Sequence, residues 1–188
     1  VTDCAGNTTS HTQTVTVEDT TDPAFVEDLP ADATEECSAV SDAATLTATD
    51  NCDYVAVDFE ESTSDDDDCA SDYTITRTWT VSDCSGNEIS HTQTITVEDT
   101  TDPAFVEALP ADATEECDAV SDAAVLTATD NCDDVTVEYS ESTADDDDCA
   151  NDYTITRSWT VSDCSGNSTS HTQTITVEDT TDPAFVEA

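Results

Sequence analysis

Carboxylates and cysteines are the residues of this chain whose numbers and spacing could do chemistry. Forty-six aspartates and glutamates face two arginines and no lysine, for a formal net charge of −44. The acids are bunched. Asp65, Asp66, Asp67 and Asp68 form a tract, and Asp50, Asn51 and Asp53 flank Cys52. Asp83 and Asn87 bracket a Cys-Ser-Gly turn, and Asp19 and Asp22 lie in a Glu-Asp-Thr-Thr-Asp-Pro segment. Clustered oxygens without counter-bases suit a hard dication. Calcium takes about six to eight oxygens from carboxylates, amides and carbonyls, whereas magnesium gives up its water reluctantly. A body this negative repels itself unless cations bind it or the medium is salty. The bland alternative is a solvated acidic surface adapted to salt.

Nine cysteines stand at 4, 37, 52, 69, 84, 117, 132, 149 and 164. That density points to disulfides formed in an oxidising, extracellular setting. A zinc site is the rival, but no close Cys-x-x-Cys pair occurs. Other chemistries are excluded or unsupported. Nothing neutralises phosphates, so nucleic acid is not a partner. Anionic membrane surfaces would repel the chain, and no apolar run is long enough for membrane insertion. No export signal is visible, which places any such signal outside these residues. No nucleophile–base set stands out, and paired carboxylates are too common here to mark a glycosidase. Three glycines form no phosphate loop. An enzyme is therefore not expected. Arg77 and Arg157 lie on the inward face of apolar strands, where a structural arginine paired with a carboxylate is expected. His11, His91 and His171 share one repeat position and read as ordinary strand histidines.

The elements that must position these groups recur with a period of 80. Residues 22–101 and 102–181 align without a gap and differ at 13 positions: 28, 38, 45, 54, 56, 58–60, 64, 71, 78, 88 and 89. Residues 1–21 match the last quarter of a repeat and 182–188 match the start of one. A window on a longer array explains both fragments, and a donor strand completing a neighbour is the sharper alternative. Strand signals are dense and helix signals nearly absent. From Tyr73 to Val81 the chain alternates, with Tyr73, Ile75, Trp79 and Val81 on one face and threonines on the other. Ile89 to Val97 repeats the pattern, Val55, Val57 and Phe59 form a third run, and Leu46 with Ala48 a fourth. Phe25 and residues 33–37 supply a split first strand. The expected fold is all-β: tandem immunoglobulin-like β-sandwich repeats of 80 residues stacked head to tail. The apolar core is small, so staples are needed.

Alternating strand directions send Cys37 and Cys69 to one end of a repeat, and Cys52 and Cys84 to the other. They predict Cys37–Cys69 and Cys52–Cys84 bonds, and likewise Cys117–Cys149 and Cys132–Cys164. Head-to-tail stacking would gather Asp65 to Asp68, Glu98, Asp99, Asp102, Asp130, Asn131, Asp133, Asp163 and Asn167 at the central junction, where calcium would cancel the repulsion and lock the hinge. Cadherin-type ectodomains follow the same logic by analogy.

Ala-Thr-Asp-Asn-Cys (48–52), Thr-Arg-Thr-Trp-Thr-Val-Ser-Asp-Cys-Ser-Gly-Asn (76–87) and Thr-Gln-Thr-Ile-Thr-Val-Glu-Asp-Thr-Thr-Asp-Pro (92–103) resemble the hyalin-repeat-like immunoglobulin-fold repeats of large secreted bacterial surface proteins of the Bacteroidota type. The resemblance spans the whole period. It implies extracellular, tandemly repeated, adhesive or structural modules without catalysis. The Asp65–Asp68 tract departs from it. The expected function is a structural extracellular fibre or filament, disulfide-stapled and stiffened by calcium. Its partners would be copies of itself or further repeats, head to tail. The stalk of an adhesin is the alternative, and an acidic mineral binder a third. Glycans are a further expectation. Asn7 and Asn167 begin N-glycosylation sequons, and Thr20, Thr100 and Thr180 resemble Asp-Thr-x sites of O-glycosylation.

Overall fold

The structure, a computed structural model, describes every residue except 53, 67–68, 146–151 and 186–188, and the backbone alone at 65 and 66. The described strands of the first repeat are β1 (Ala24–Phe25), β2 (Ala33–Glu36), β3 (Ala48–Thr49), β4 (Val57–Asp66), β5 (Cys69–Ser82) and β6 (Glu88–Glu98). Those of the second are β7 (Ala104–Phe105), β8 (Ala113–Glu116), β9 (Ala128–Thr129), β10 (Thr136–Asp145), β11 (Tyr153–Ser162) and β12 (Ser168–Glu178). One 3-10 turn, Cys37–Ala39, follows β2.

The second repeat shows how the sequence dictates the architecture. In β11, Ile155, Arg157, Trp159 and Val161 are buried, while the threonines and serines between them turn outward. A period of two places these side chains on one face of a pleated strand. β10, β11 and β12 form an antiparallel meander, and β8 adds to β12 in parallel, giving the order β10-β11-β12-β8. β7 and β9 pair separately, Ala104 opposite Thr129. The chain between β7 and β9 covers the inner face, so the repeat is an immunoglobulin-like sandwich with one sheet reduced to a two-residue ribbon. Pro103 and Pro110 bracket β7 and keep it short, because proline offers no N–H to a ladder.

The cover is pinned by polar groups of the sheet. Trp159 Nε1 donates to Ala124 O at 3.1 Å, an Arg157 guanidinium nitrogen to Ser121 O at 2.6 Å, and Gln173 Nε2 to Ala111 O at 2.7 Å. His171 Nε2 meets Pro110 O at 2.8 Å and its ring stacks on Trp159. Arg157 Nε also pairs with Glu141 at 2.8 Å, and Arg77 pairs with Glu61 at 2.7 Å. The arginines are structural, as expected, and so are the histidines of β6 and β12.

The first repeat has the same strand order, β2-β6-β5-β4 with β1-β3 apart. Its Trp79 is bonded to Ala44 O and flanked by Phe59 and His91. The chain divides into two compact units. One comprises Val1–Ala31, Ala43–Glu61 and Thr76–Gln93; the other comprises Asp32–Asp42, Ser62–Ile75 and Thr94–Ala188. The first repeat thus contributes to both units, and the second repeat lies wholly in the latter. Within that larger unit, Ile75, Ile95 and Val97 cluster with Cys37, Val40 and Tyr73, and Ile155, Ile175 and Val177 cluster with Cys117, Val120 and Tyr153.

One turn recurs three times. Asp163 Oδ1 accepts the N–H of Gly166 at 2.7 Å and of Asn167 at 2.8 Å. Gly166 has φ +98°, a left-handed conformation that glycine adopts without steric cost. Asp83–Asn87 repeats the motif, and Asp3–Asn7 repeats it beside the isolated Thr2–Thr8 bridge. His11 lies beyond that bridge and is exposed.

Candidate metal centre and junction cysteines

The larger unit brings together residues from the first repeat, the linker and two loops of the second. Asp99 follows β6, Asp130 follows β9, and Asp163 opens the β11–β12 turn. Each offers a carboxylate oxygen, and these oxygens lie within 4.8 Å of one another. Local hydrogen bonds fix their orientation. Thr101 N–H donates to Asp99 Oδ1 at 3.0 Å, and Cys132 N–H to Asp130 Oδ2 at 2.9 Å. The Asn167 amide donates to Asp163 Oδ2 and to Asp99 O, both at 2.9 Å. One oxygen each of Asp99 and Asp130 is thereby tied down. The others, Asp99 Oδ2 and Asp130 Oδ1, are buried and accept no hydrogen bond. Asp99 as a whole is only 5% exposed. Burying a carboxylate oxygen without a partner is costly, so these two oxygens call for a ligand.

Glu36 closes the cluster from the first repeat. It accepts from Thr100 Oγ1 at 2.8 Å, Thr101 Oγ1 at 2.9 Å and the Asn131 amide at 3.2 Å. These bonds, Thr100 foremost, draw the Glu36 carboxyl down to about 2. Burial pushes Asp99 the other way, up to about 6, with Glu36 and the charges of Asp130 and Asp163 adding to it against the Thr101 N–H. Asp72 on β5 accepts the Asp99 N–H at 3.1 Å and the Ser165 hydroxyl at 3.0 Å.

The smaller unit holds the counterpart one period earlier. Asp19 and Asp50 converge there with the Cys52 sulfur as the third group, and Asp19 Oδ2 is again buried without a hydrogen bond. Asn87, bonded to Asp83 at 2.6 Å, donates to Asp19 O at 3.3 Å. The Asn87 amide is the main reason that Asp83 is held below the usual carboxylate range.

Not every residue expected at the junction joins the cluster. Asn131 serves Glu36 and Ser38, and Asn51 contacts the Cys52 sulfur. Asp133 accepts from Ser71 Oγ at 3.1 Å, beside Cys69 and Cys164. Asp102 accepts Ser168 N–H at 3.2 Å, and Asp22 and Glu98 are exposed. Asp53, Asp67 and Asp68 lie outside the described residues, as do the side chains of Asp65 and Asp66. Glu36 and Asp72 were not expected. The signal for Glu36 was its place next to a junction cysteine.

Four of the five expected glycan positions make side-chain hydrogen bonds. The Thr100 and Thr180 hydroxyls donate to Glu36 and Glu116, and the Asn7 and Asn167 amides donate to Asp3 and Asp163. Thr20 is exposed.

The cysteines depart from the expected pairing. Cys37 is bonded to Cys132 and Cys69 to Cys164, each pair 95 residues apart, with Cα separations of 6.1 and 5.4 Å. The Cys37–Cys69 and Cys132–Cys164 bonds expected within repeats are therefore not formed. The reason is the sheet order. Cys37 follows β2 and Cys69 opens β5, and β6 runs between those strands. Two strand spacings amount to roughly 9.5 Å, beyond the ~7 Å that a disulfide spans. The neighbouring repeat supplies the nearer partners. The expected Cys52–Cys84 bond is also absent, and both residues are exposed. Cys117 is half-buried and is bonded to no other described cysteine, and Cys149 lies outside the described residues. Because Cys37 and Cys132 are spent on each other, no thiolate competes at the Asp99 cluster, and its donors are oxygens. Such a set fits a hard cation such as calcium and fits zinc poorly.

Comparison with known proteins gives the family. No curated protein matches the chain. Among solved structures, the Drosophila N-cadherin EC1-4 structure is 13% identical with a TM-score of 0.35, and the match covers 85% of this chain and 50% of that one. The human Desmocollin-1 ectodomain is 16% identical with a TM-score of 0.31, covering 96% of this chain and 47% of that one. The chain spans about half the length of each. The model of the HYR-like domain with 4 cysteines matches twice, over residues 27–97 and 107–177, and the chain belongs to that family as two tandem copies.

Proposed function

We propose that the chain is a segment of a structural extracellular fibre, in which calcium holds consecutive immunoglobulin-like repeats in a fixed relation. Asp99, Asp130 and Asp163, with Glu36 beside them, would hold the ion. Asp19 and Asp50 would serve one repeat earlier. The ion would supply positive charge where several carboxylates converge, offsetting their repulsion and satisfying the buried oxygens. One observation carries the reading: carboxylate oxygens of Asp99, Asp130 and Asp163 lie within 4.8 Å of one another, two of these residues each keep a buried oxygen without a hydrogen bond, and a disulfide joins the two repeats beside them. The family and the disulfides support an extracellular place for the chain. Among the described residues no helix is long and apolar enough to cross a membrane.

The test is negative-stain imaging of the array with calcium and after chelation, at matched ionic strength, alongside calcium titration by calorimetry. Straight rods that become flexible on chelation support the reading. Rods unchanged by chelation, together with no measurable heat of binding, overturn it. An adhesin stalk would use the same joints, and a distinct terminal domain in the full gene would distinguish it from a plain fibre.

A further inference from the structure

We propose that Cys37 and Cys132 form a zinc site before they form a disulfide. With both sulfurs as thiolates, the two cysteines, Glu36 and Asp99 hold the ion, and oxidation of the pair expels it. Ligand atoms of these four residues all lie within 4.8 Å of one another. They come from three places in the chain: the end of β2, the segment after β6 and the loop after β9. Two sulfurs and two carboxylate oxygens make a tetrahedral set for zinc, which sits about 2.3 Å from sulfur and about 2.0–2.2 Å from oxygen. The Cys69–Cys164 pair gathers one carboxylate, Asp133, in the same reach. Among the described residues, the four-donor set is therefore particular to Cys37 and Cys132.

Two observations point to a ligand here. Asp99 is only 5% exposed, and its Oδ2 is buried and accepts no hydrogen bond. A carboxylate oxygen in that state calls for a positive partner. The second observation is the Asn131 amide. Its Nδ2 stands 2.9 Å from Cys132 Sγ, 3.7 Å from Cys37 Sγ and 3.2 Å from Glu36 Oε1. A disulfide sulfur gains little from such a donor. A thiolate gains far more, because hydrogen bonds to ionised acceptors are about twice as strong. Donors behind the ligands also orient them in metal sites.

The two redox states differ in the metal they suit. With the disulfide closed, the donors beside Asp99 are oxygens, which suit calcium. With it open, thiolates join the set and select zinc. The zinc site shares Asp99 and Glu36 with the calcium reading but does not rest on it.

Binding and release balance. As zinc binds, the Cys37 and Cys132 thiols give two protons to solvent. The oxidant is a small disulfide such as glutathione disulfide. The Cys37 thiolate attacks one of its sulfurs and releases a glutathione thiolate. The Cys132 thiolate then attacks the Cys37 sulfur of the mixed disulfide and releases the second. Two protein sulfurs are oxidised, and one small disulfide is reduced to two thiolates, which take up protons. The zinc ion leaves because the joined sulfurs no longer carry charge. Until then it would hold together two cysteines 95 residues apart.

The test uses the 188-residue chain, reduced with a phosphine under argon, with zinc, calcium or no metal added. Thiols are alkylated for timed intervals and located by mass spectrometry after cleavage at acidic residues. Zinc should slow alkylation of Cys37 and Cys132 together. Cobalt, the spectroscopic probe, should give a sulfur-to-metal charge-transfer band that Cys37→Ser diminishes. Asn131→Ala should weaken zinc binding by about 10- to 100-fold, and Asp99→Asn should remove the joint protection. Adding glutathione disulfide to the zinc-loaded chain should release one zinc for each Cys37–Cys132 bond formed, read with a chromogenic chelator. Alkylation of the two cysteines at the same rate with and without zinc overturns the proposal. So does protection of only one of them, equal protection by calcium, or a cobalt band unchanged in Cys37→Ser. The calcium centre is tested on the oxidised chain, so either reading can fail while the other stands.

Discussion

Acidification should release the cation through Asp99. Burial raises this carboxyl to about 6, so a proton competes with the metal in a range where ordinary carboxylates are ionised. At pH 7 roughly ten-elevenths of Asp99 is charged, and at pH 5 roughly one-eleventh. If the ionised form alone binds, the apparent Kd rises about tenfold between those values, or about 1.4 kcal/mol. Glu36, drawn down to about 2, stays charged throughout and contributes nothing to the step. The cation-free protein should show the opposite trend. A folded-state pKa raised above 3.8 means that the folded form binds the proton more tightly. Stability without metal therefore falls as pH climbs from about 4 to about 6, and levels off above that. The assay is calcium titration by calorimetry at pH 7, 6 and 5, with urea midpoints measured in chelator over the same range. Asp99→Asn should flatten the step that the wild type shows. An affinity that is level from pH 7 to 5, or a step that survives in Asp99→Asn, would refute the reasoning.

Three further outcomes follow from the packing. Replacing Cys37 and Cys132 together by serine opens a loop of 95 residues and should cost about 4.7 kcal/mol in the chain-entropy limit, read as a lower denaturant midpoint; an unchanged midpoint would remove this bond from the folded state. Glu141→Ala leaves Arg157, only 4% exposed, without its carboxylate and should cost about 2 kcal/mol, more than Arg157→Met, which removes the charge as well. The reverse ranking in urea melts would show that the pair does not bear on stability. Trp159→Ala removes a side chain that is 1% exposed and bonded to Ala124, so thermal melts should show a loss of about 3–5 kcal/mol.

Much of this was legible in the residues, for physical reasons. Strict alternation in Tyr73 to Val81 left only a strand with one buried face, and the same argument placed Arg77 inward with a carboxylate partner. The acids around Asp50, Asp83 and Asp99 were recognisable because each group stands in a short turn or linker that strand direction sends to one end of a repeat. Cysteine pairing was not legible. Strand direction tells at which end of a sheet a residue emerges, but not how many strands separate two residues at that end. Because β2 adds to β6 in parallel, Cys37 lies two strands from Cys69, a fact of topology that alternation does not encode. Glu36 and Asp72 were missed for a related reason. Both sit in strands whose side-chain period gives no hint of what approaches the end of the sheet.

The 95-residue separation of the bonded cysteines also sets an order of events for a chain that folds under oxidising conditions. Cys37 emerges, then Cys52 and Cys69, and the correct partner Cys132 comes last of these. Until β6 has formed between β2 and β5, nothing keeps Cys37 from the nearer thiols, and shorter loops close more readily. Premature bonds of that kind would have to be reshuffled by exchange before the sheet could complete. Under oxidising conditions the folding yield of a chain of such repeats should therefore be governed by thiol exchange more than by the stability of any one sandwich.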